Sequence, residues 1–442
     1  MYSKEIEKLF GEKKISFGDR VRVTVGEDVF EGIIIPRPER GSDILVLKLD
    51  SGYNVGVRWR SGASVEKVSS GRRLEVFPSV DAEAREGVPL VSLIATGGTI
   101  SSRISYETGG VKWLMEPGQL LFIVPELERI VWLKEIEKPF LIASENMSAV
   151  HWRKLAESAA RLLNEGSEGV IITHGTDTLH YTAAALSFML KNLSKPVVLT
   201  YSQKSTDRGS TDTVLNLTCA AYAAGYSDIA EVVLCGHGES SDDYCLLNRG
   251  TKVRKMHTSA RHTFRPINDL PLAKVYPTGK IEAVNGSYNK RSLGKVTVDA
   301  KFEEKVALIK YYPGASPLLV DYLVKEGYRG IVVEATGLGH VGTDESKYNW
   351  LPALKRAIAS GVVVCAAAQT LYGRLDPFVY GEGRKVHDLG VVYLQDMLPE
   401  TAYVKLGWVL GHTKDAGKAR EMMLTNYAGE ITEKTDVRTF LY

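Results

Sequence analysis

The sequence predicts an α/β protein with two lobes built on parallel sheets, preceded by a small N-terminal antiparallel β-barrel. From Val88 onward, apolar runs such as "VPLVSLIATGG", "EGVIITHGTDT" and "KPVVLTYS" alternate with amphipathic helical segments. This alternation is typical of a doubly wound parallel sheet. Residues 18–70 instead contain short alternating stretches separated by Gly, Asp and Ser, as in small antiparallel barrels. A chain of 442 residues is also long enough for more than one core.

Changes in composition along the chain divide it into four parts. We assign the barrel to residues 1–70 and a polar linker without clear periodicity to residues 71–87. Residues 88–299 are assigned to the first α/β lobe, in which Ser148 is placed to cap an amphipathic helix. The runs "KVALIKYYPG", "GIVVEATGLG" and "GVVVCAAAQT" begin a second cycle, so residues 300–442 are assigned to a smaller α/β lobe and tail.

Net charge and the lack of long apolar runs narrow the class of protein. The formal net charge is +2, so no global field directs the chain to nucleic acid or an anionic membrane. No apolar run approaches the roughly 20 residues that cross a bilayer, and the segment "MYSKEIEKLFGEKK" is charged. We therefore expect a cytoplasmic protein that does not span a membrane. The four cysteines are scattered without a C-x-x-C pair, so neither disulfides nor structural zinc are expected.

The loop "ATGGTIS" directly follows the first apolar run of the α/β lobe. It lacks both the glycine spacing of a dinucleotide fingerprint and the lysine of a P-loop, which disfavours a phosphate-binding role. Adjacent glycines at the carboxyl end of a strand allow a ligand to approach the backbone closely, and open α/β sheets bind ligands at that edge. Thr99 is therefore placed to meet a substrate. A tight turn without chemistry is the alternative.

A second loop, "THGTDT", repeats this design after another apolar strand. Its Thr176 and Asp177 should lie at the same sheet edge as Thr99. A hydroxyl nucleophile is weak at neutral pH and needs a base, which neither Thr176 nor Asp177 provides well. A lysine whose pKa is lowered by burial can serve. The segment "RGTKVRKMH" offers Lys252 and Lys255, although most such lysines are simply solvated.

The set of motifs "ATGGTI", "THGTDT" and "RGTKVRKMH", in this order, resembles the bacterial-type L-asparaginase family. The resemblance implies an acylating threonine, a second threonine, an aspartate and a catalytic lysine, which correspond to Thr99, Thr176, Asp177 and Lys255. The segment "IASENMS" resembles the family's substrate-clamping loop, so Ser144 and Glu145 are expected to bind the amino and carboxyl groups of an amino acid. Tyr106 is matched to the family's mobile tyrosine.

The composition of "SSRISYETGG", residues 101–110, indicates a mobile lid that would place Tyr106 over Thr99, with an ordinary surface loop as the alternative.

Over its whole length, including the N-terminal barrel and the closing "NYAGEITEKTDV", the chain resembles the family of archaeal glutamyl-tRNA(Gln) amidotransferase D subunits. This resemblance implies a glutaminase that forms a threonyl acyl-enzyme and supplies ammonia to a partner, the E subunit of the amidotransferase. The partner would use ATP and Mg²⁺ to convert Glu-tRNA(Gln) to Gln-tRNA(Gln), so no cofactor is expected in this chain. A homodimer within a heterotetramer is also implied. A free-standing L-asparaginase and a non-catalytic scaffold are the alternatives.

Overall fold

The fold is described by a computed structural model over residues 2–35, 42–49, 54–70, 87–98, 100, 102–104, 111–113, 124, 126–204 and 210–442. Three features predicted from the sequence lie outside the described residues. These are the candidate nucleophile Thr99, the tyrosine Tyr106 and nearly all of the predicted linker, residues 71–86.

The N-terminal part is a helix followed by an antiparallel sheet. Its elements are α1 (Lys4–Glu12), β1 (Arg20–Val25), β2 (Asp28–Ile35), β3 (Ile44–Lys48), β4 (Asn54–Arg58) and β5 (Ser64–Ser69). The strand order is β4-β3-β2-β1-β5, and every neighbouring pair is antiparallel, as the alternating pattern predicted. Ile6 and Phe10 of α1 pack on buried strand residues such as Val23 and Leu45. The edge strands β4 and β5 share no ladder among the described residues, so closure into a barrel stays a prediction.

The first α/β lobe follows. Its strands are β6 (Leu90–Ala95), β7 (Ser102–Ile104), β8 (Val111–Trp113), β9 (Trp132–Glu137), β10 (Gly169–Thr173), β11 (Leu190–Lys191), β12 (Val197–Thr200), β13 (Val232–His237), β14 (Cys245–Arg249), β15 (Val253–Lys255), β16 (Phe264–Pro266), β17 (Ala273–Val275), β18 (Ile281–Ala283) and β19 (Thr297–Val298). Its helices are α2 (Leu127–Ile130), α3 (Ala149–Asn164), α4 (Leu179–Met189) and α5 (Thr213–Tyr226).

The main sheet of this lobe is mixed. Within the described ranges its order is β18-β17-β14-β13-β12-β10-β6-β9. The predicted parallel arrangement is confirmed for β13, β12, β10, β6 and β9. Strands β14, β17 and β18 extend the sheet in the antiparallel sense, which the sequence pattern did not indicate. The connection from β13 to β14 is too short for the helical crossover that a parallel pair needs, so the chain reverses there.

Helices cover both faces of the main sheet, as expected for a doubly wound fold. The apolar residues of α3 and α4 form one core with one face of the sheet, and those of α2 and α5 form a second core with the other. Strand β10 is buried along its whole length, which explains its unbroken apolar run. Helix α3 begins directly after Ser148, as predicted, and α4 begins after Thr178.

The second lobe is a smaller α/β unit, as predicted. Its elements are β20 (Val306–Lys310), α6 (Leu318–Lys325), β21 (Gly330–Ala335), α7 (Leu351–Ala359), β22 (Val363–Ala368), α8 (Gly381–Asp388), β23 (Val392–Tyr393), α9 (Pro399–His412) and α10 (Ala416–Leu424). Strands β20 to β23 form a parallel sheet in sequence order. Helix α9 joins the two lobes, because the ring of Trp408 stacks on that of Phe188 in α4, with centroids 6.0 Å apart.

All four cysteines are buried free thiols. Among the helices that the structure describes, none combines the length and the apolar character required to cross a bilayer.

Candidate active site

The site lies where two adjacent parallel strands end. Strands β6 and β10 are paired, with Ala95 opposite Thr173, so their following loops leave the sheet at the same edge. The first loop is tied to the second strand by Thr96, whose N–H and hydroxyl both donate to the Thr173 carbonyl, at 3.2 and 2.9 Å. The sequence prediction that the two glycine-containing loops share one edge is therefore confirmed.

The two loops contact each other through glycine backbone. Gly98 has φ +79°, and a Cβ atom there would lie 2.5 Å from the backbone nitrogen of Gly175 and 2.6 Å from its Cα. Gly97 has φ +109°, and a Cβ there would lie 2.6 Å from the Ile142 carbonyl oxygen. Both glycines are therefore required by conformation and by space. Gly98 immediately precedes Thr99, and Gly175 immediately precedes Thr176. The contact between these two glycines therefore places the backbone directly before the predicted nucleophile next to the backbone directly before Thr176.

Replacing Gly98 by alanine should test this contact. We expect Gly98→Ala to lower the free energy of unfolding by more than the ~1–2 kcal/mol that a positive φ costs a non-glycine residue, because the Cβ also overlaps backbone atoms that cannot move aside. Gly166→Ala is the matched control, since Gly166 has φ +105° but no atom within 4 Å of the place that a Cβ would take. Chemical denaturation of both variants gives the comparison. Equal losses would show that the two loops do not touch in solution.

Lys255 reaches the second loop from a separate hairpin formed by β15 and β16. Its Nζ lies 2.8 Å from Thr176 Oγ1 and 2.8 Å from Asp177 Oδ1. The lysine side chain is 13% exposed and that of Asp177 is 65% exposed, so the group is reachable from solvent mainly on the carboxylate side. At these distances a proton can pass between the amine and the threonine hydroxyl, while the carboxylate balances the ammonium charge.

Lys252, the other candidate from the sequence, lies elsewhere. Its side chain is fully buried and its Nζ lies 2.7 Å from Asp396 Oδ2, in the turn between β23 and α9. Burial lowers the pKa of Lys252, and the nearby Asp396 carboxylate opposes that shift. The residue pattern alone offered both lysines, and the family resemblance selected Lys255. Of this pair, only Lys255 contacts the loop that carries Thr176 and Asp177.

The residues expected to clamp a substrate lie beside the second loop. Ser144 and Glu145 begin a single 3₁₀ turn, Ser144–Asn146, after β9. Ser144 is 2% exposed, and a Cβ at Gly175 would lie 2.8 Å from its Cβ, so these two residues are in close contact. Thr178 donates a hydrogen bond from its hydroxyl to the Ser144 carbonyl at 2.6 Å, which ties the clamp to the loop. Glu145 is exposed at the same edge.

The segment predicted to be a lid contains regular structure. Ser102–Ile104 pairs with Val111–Trp113 as an antiparallel hairpin, whereas the sequence indicated a polar loop without elements. Within the predicted lid, backbone pairing therefore replaces the expected irregular chain at residues 102–104. Residues 105–110, which include Tyr106, lie outside the described residues, so the closure of Tyr106 over Thr99 stays a prediction.

Two buried polar residues that sequence reasoning missed also support the site. Asp212 is fully buried, and its carboxylate accepts the Ser202 hydroxyl and the backbone N–H groups of Gln203 and Lys204, which fixes the loop after β12 at the same sheet edge. His174 is fully buried at the end of β10, and burial lowers its pKa to about 4. A titratable residue directly after the apolar run of β10 was the available signal for His174, whereas Asp212 lies in the polar segment before α5 and did not stand out there.

Three models of known protein families match successive parts of the chain. Residues 90–288 match the model described as Asparaginase, N-terminal, and residues 305–423 match the Glutaminase/Asparaginase C-terminal domain. Residues 15–68 match the GatD N-terminal domain. The glutamyl-tRNA(Gln) amidotransferase D subunit of Pyrococcus furiosus is 50% identical over 442 residues, with 99% of each chain covered. The chain belongs to the family of glutamyl-tRNA(Gln) amidotransferase D subunits.

Other relatives agree with this membership. The D subunit of Sulfolobus acidocaldarius is 43% identical over 97% of this chain and 95% of its own. Among solved structures, the thermostable L-asparaginase of Thermococcus kodakarensis is 30% identical with a TM-score of 0.68, and covers 78% of this chain and 100% of its own. L-asparaginase I of Vibrio cholerae is 28% identical with a TM-score of 0.67. The enzyme family and the asparaginase-like fold predicted from the motifs are thus confirmed for this member of the D-subunit family.

Proposed function

We propose that this chain hydrolyses glutamine through a threonyl acyl-enzyme and supplies the ammonia to a tRNA-dependent amidation. The observation that carries the proposal is the position of Lys255 Nζ, 2.8 Å from both Thr176 Oγ1 and Asp177 Oδ1. A hydroxyl, an amine and a carboxylate in direct contact form the set of groups that activates a hydroxyl nucleophile and transfers its proton.

In the proposed reaction the Thr99 hydroxyl attacks the side-chain amide carbon of glutamine. Ammonia leaves, and water then releases glutamate from the ester to Thr99. Thr176, Lys255 and Asp177 carry the protons that these two steps exchange. Backbone N–H groups of the contacting glycine loops supply hydrogen bonds to the oxyanion, which is usually a large contribution to acyl transfer. Ser144 and Glu145 bind the amino and carboxyl groups of glutamine, and Tyr106 closes over Thr99.

The ammonia is used by a partner, the amidotransferase E subunit. That partner binds Glu-tRNA(Gln), activates the glutamate with ATP and Mg²⁺, and forms Gln-tRNA(Gln). This chain holds no cofactor in the proposal and works in the cytoplasm as a homodimer within a heterotetramer. Support comes from the curated relatives, which are named as subunits of glutamyl-tRNA(Gln) amidotransferase and align with this chain over nearly its full length.

A free-standing L-asparaginase is the second candidate, because solved L-asparaginases share the fold of the catalytic region. They cover 78% of this chain. The match of residues 15–68 to the GatD N-terminal domain favours the amidotransferase. Glutamine and asparagine turnover by the chain alone, by the chain with the E subunit, and by that complex with Glu-tRNA(Gln) separates the two functions. Full asparagine turnover by the isolated chain, with no response to the E subunit or tRNA, would favour the asparaginase.

The Thr99→Ala variant tests the nucleophile. We expect glutamine hydrolysis by the complex to fall at least about 10³-fold, since no covalent intermediate can form. Amidation of Glu-tRNA(Gln) with added ammonium should persist, because that chemistry belongs to the E subunit. Thr425→Ala, which removes a hydroxyl that donates to the Glu421 carbonyl at the end of α10, is the control and should retain both activities. Glutamine hydrolysis at the native rate in Thr99→Ala would remove Thr99 from the mechanism.

A further inference from the structure

A row of buried hydrogen bonds ends on the peptide that precedes Thr176. Trp152 on α3 places its indole nitrogen 3.0 Å from the hydroxyl oxygen of Thr182 on α4. That oxygen lies 2.8 Å from His174 Nε2. On the other side of the ring, His174 Nδ1 lies 2.7 Å from the Gly175 carbonyl oxygen. His174 and Thr182 are fully buried and Trp152 is 5% exposed, so water does not compete for these bonds.

The two ends of this row, together with a neutral His174 ring, fix the direction of every bond in it. A carbonyl oxygen only accepts, so His174 Nδ1 carries a proton and donates it to Gly175. An indole N–H only donates, so the Thr182 oxygen accepts from Trp152 and directs its own proton to His174 Nε2. The weaker acceptor near that hydroxyl, Met147 Sδ, is 3.8 Å away. Because burial lowers the pKa of His174 to about 4, the ring is neutral near pH 7 and holds one proton, on Nδ1.

We propose that His174, held as its Nδ1–H tautomer by Thr182 and Trp152, positions the Gly175–Thr176 peptide for catalysis. This inference rests on the proposed glutaminase function and adds a positioning residue to it. The described residues contain no cis peptide, so the Thr176 N–H points opposite to the Gly175 carbonyl. Holding that carbonyl toward the buried ring therefore directs the Thr176 N–H away from it. The same bond sets the point from which the Thr176 hydroxyl reaches Lys255 Nζ.

Gly175 cannot fix the orientation of the peptide that follows it, so a hydrogen bond from another residue is needed. Gly175 has no side chain, and the space that a Cβ would occupy is filled by Ser144, while the first glycine loop packs against its backbone. A glycine in a loop has wide conformational freedom, which must be restrained where a reacting group follows. His174 supplies the restraint from the core, on the opposite side of the loop from solvent.

Steady-state kinetics of the intact complex distinguish a role of His174 in positioning the Gly175–Thr176 peptide from a role in packing alone. Thr182→Val keeps the shape of the side chain but removes the proton donated to His174, and we expect kcat for glutamine to fall about 10- to 100-fold with KM changed less than about threefold. Thr182→Ser restores the hydroxyl and should restore kcat to within about threefold. Ser187→Ala is the matched control on the same helix, because the Ser187 hydroxyl donates to the Ala183 carbonyl one turn earlier in α4. A native kcat in Thr182→Val overturns the proposal.

Nitrogen-15 NMR of ring-labelled histidine tests the tautomer without reference to activity. The His174 signals are assigned by their loss in His174→Gln. We expect the native ring to be protonated on Nδ1 and unprotonated on Nε2, and Thr182→Val to alter this state and shift the Thr176 amide resonance. A proton on Nε2 in the native protein, or an unmoved Thr176 amide in Thr182→Val, contradicts the proposal. Absence of any amide hydrolysis by the native complex would overturn the proposed function instead, and the NMR result would still decide the role of His174.

Discussion

A Lys255→Met variant is expected to lose glutamine hydrolysis by at least about 10³-fold while keeping its fold. Methionine has a similar length but cannot exchange a proton with Thr176 or pair with Asp177, both of which lie 2.8 Å from the native Nζ. Lys255→Arg should fail as well, because a guanidinium does not deprotonate in proteins and cannot act as a base. Steady-state glutamine turnover by the complex, with circular dichroism as a check on folding, measures both variants.

Two outcomes would change the proposed role of Lys255. An active Lys255→Arg variant would show that the lysine contributes only positive charge, and an active Lys255→Met variant would exclude it from the mechanism. Lys280→Met is the matched control. Lys280 is an exposed lysine of the same lobe whose ion pair with Glu282, at 2.8 Å, is fully on the surface, so its replacement should leave turnover unchanged.

A Glu430→Gln variant is expected to lose about 3–5 kcal/mol of unfolding free energy, because it leaves the Lys405 ammonium buried without its counter-charge. Lys405 Nζ lies 2.6 Å from Glu430 Oε1, and both side chains are fully buried. The ammonium also donates to the carbonyls of Met423 and Thr425, and the carboxylate accepts the N–H of Ala428 at 2.7 Å. This network connects α9 to the tail of the chain, so its loss should also loosen the segment after α10.

A double-mutant cycle isolates the energy of this pair. Lys405→Met alone leaves a buried carboxylate and should cost a comparable amount, whereas Lys405→Met combined with Glu430→Gln should recover part of the loss. Lys385→Met is the surface control, since Lys385 is 43% exposed and pairs with Asp344 at 3.0 Å, and its replacement should cost less than about 1 kcal/mol. Denaturant midpoints and slopes are compared for all four variants. Additive losses in the cycle would show that the pair is not coupled.

The local pattern of apolar and polar residues in the sequence predicted most of the architecture. The buried run of β10 and the amphipathic run of α3 are each specified within a few neighbouring residues, and both elements form where the pattern placed them. Strands β14, β17 and β18 were missed as members of the main sheet, since their short runs give no indication of which neighbour they pair with. Their antiparallel direction follows from the length of the connections and from packing against α5, which are properties of the folded lobe.

The site was predicted less completely because its parts come from distant positions in the chain. Motif order indicated Thr176, Asp177 and Lys255, and the structure brings these three together. The burial of the Lys252 side chain depends on its pairing with Asp396, which is 144 residues away in the sequence. The residues around Lys252 give no indication of that partner. His174 was missed for a related reason. Its ring contacts a threonine on one helix, and that threonine accepts a hydrogen bond from a tryptophan on another, so the role of His174 becomes visible only when the helices are packed on the sheet.

The hairpin that carries Lys255 is supported by segments that are synthesised more than 100 residues after it. The Thr251 hydroxyl donates to the Ala428 carbonyl, the Thr401 hydroxyl donates to the Thr251 carbonyl, and Lys252 pairs with Asp396. A nascent chain still attached to the ribosome at residue 390 already contains both threonine loops and the lysine, but none of these anchors. Under the proposed mechanism, ammonia release is therefore expected only after residues 396–428 have been synthesised and have folded onto the hairpin, and chains that terminate before residue 396 are expected not to consume glutamine.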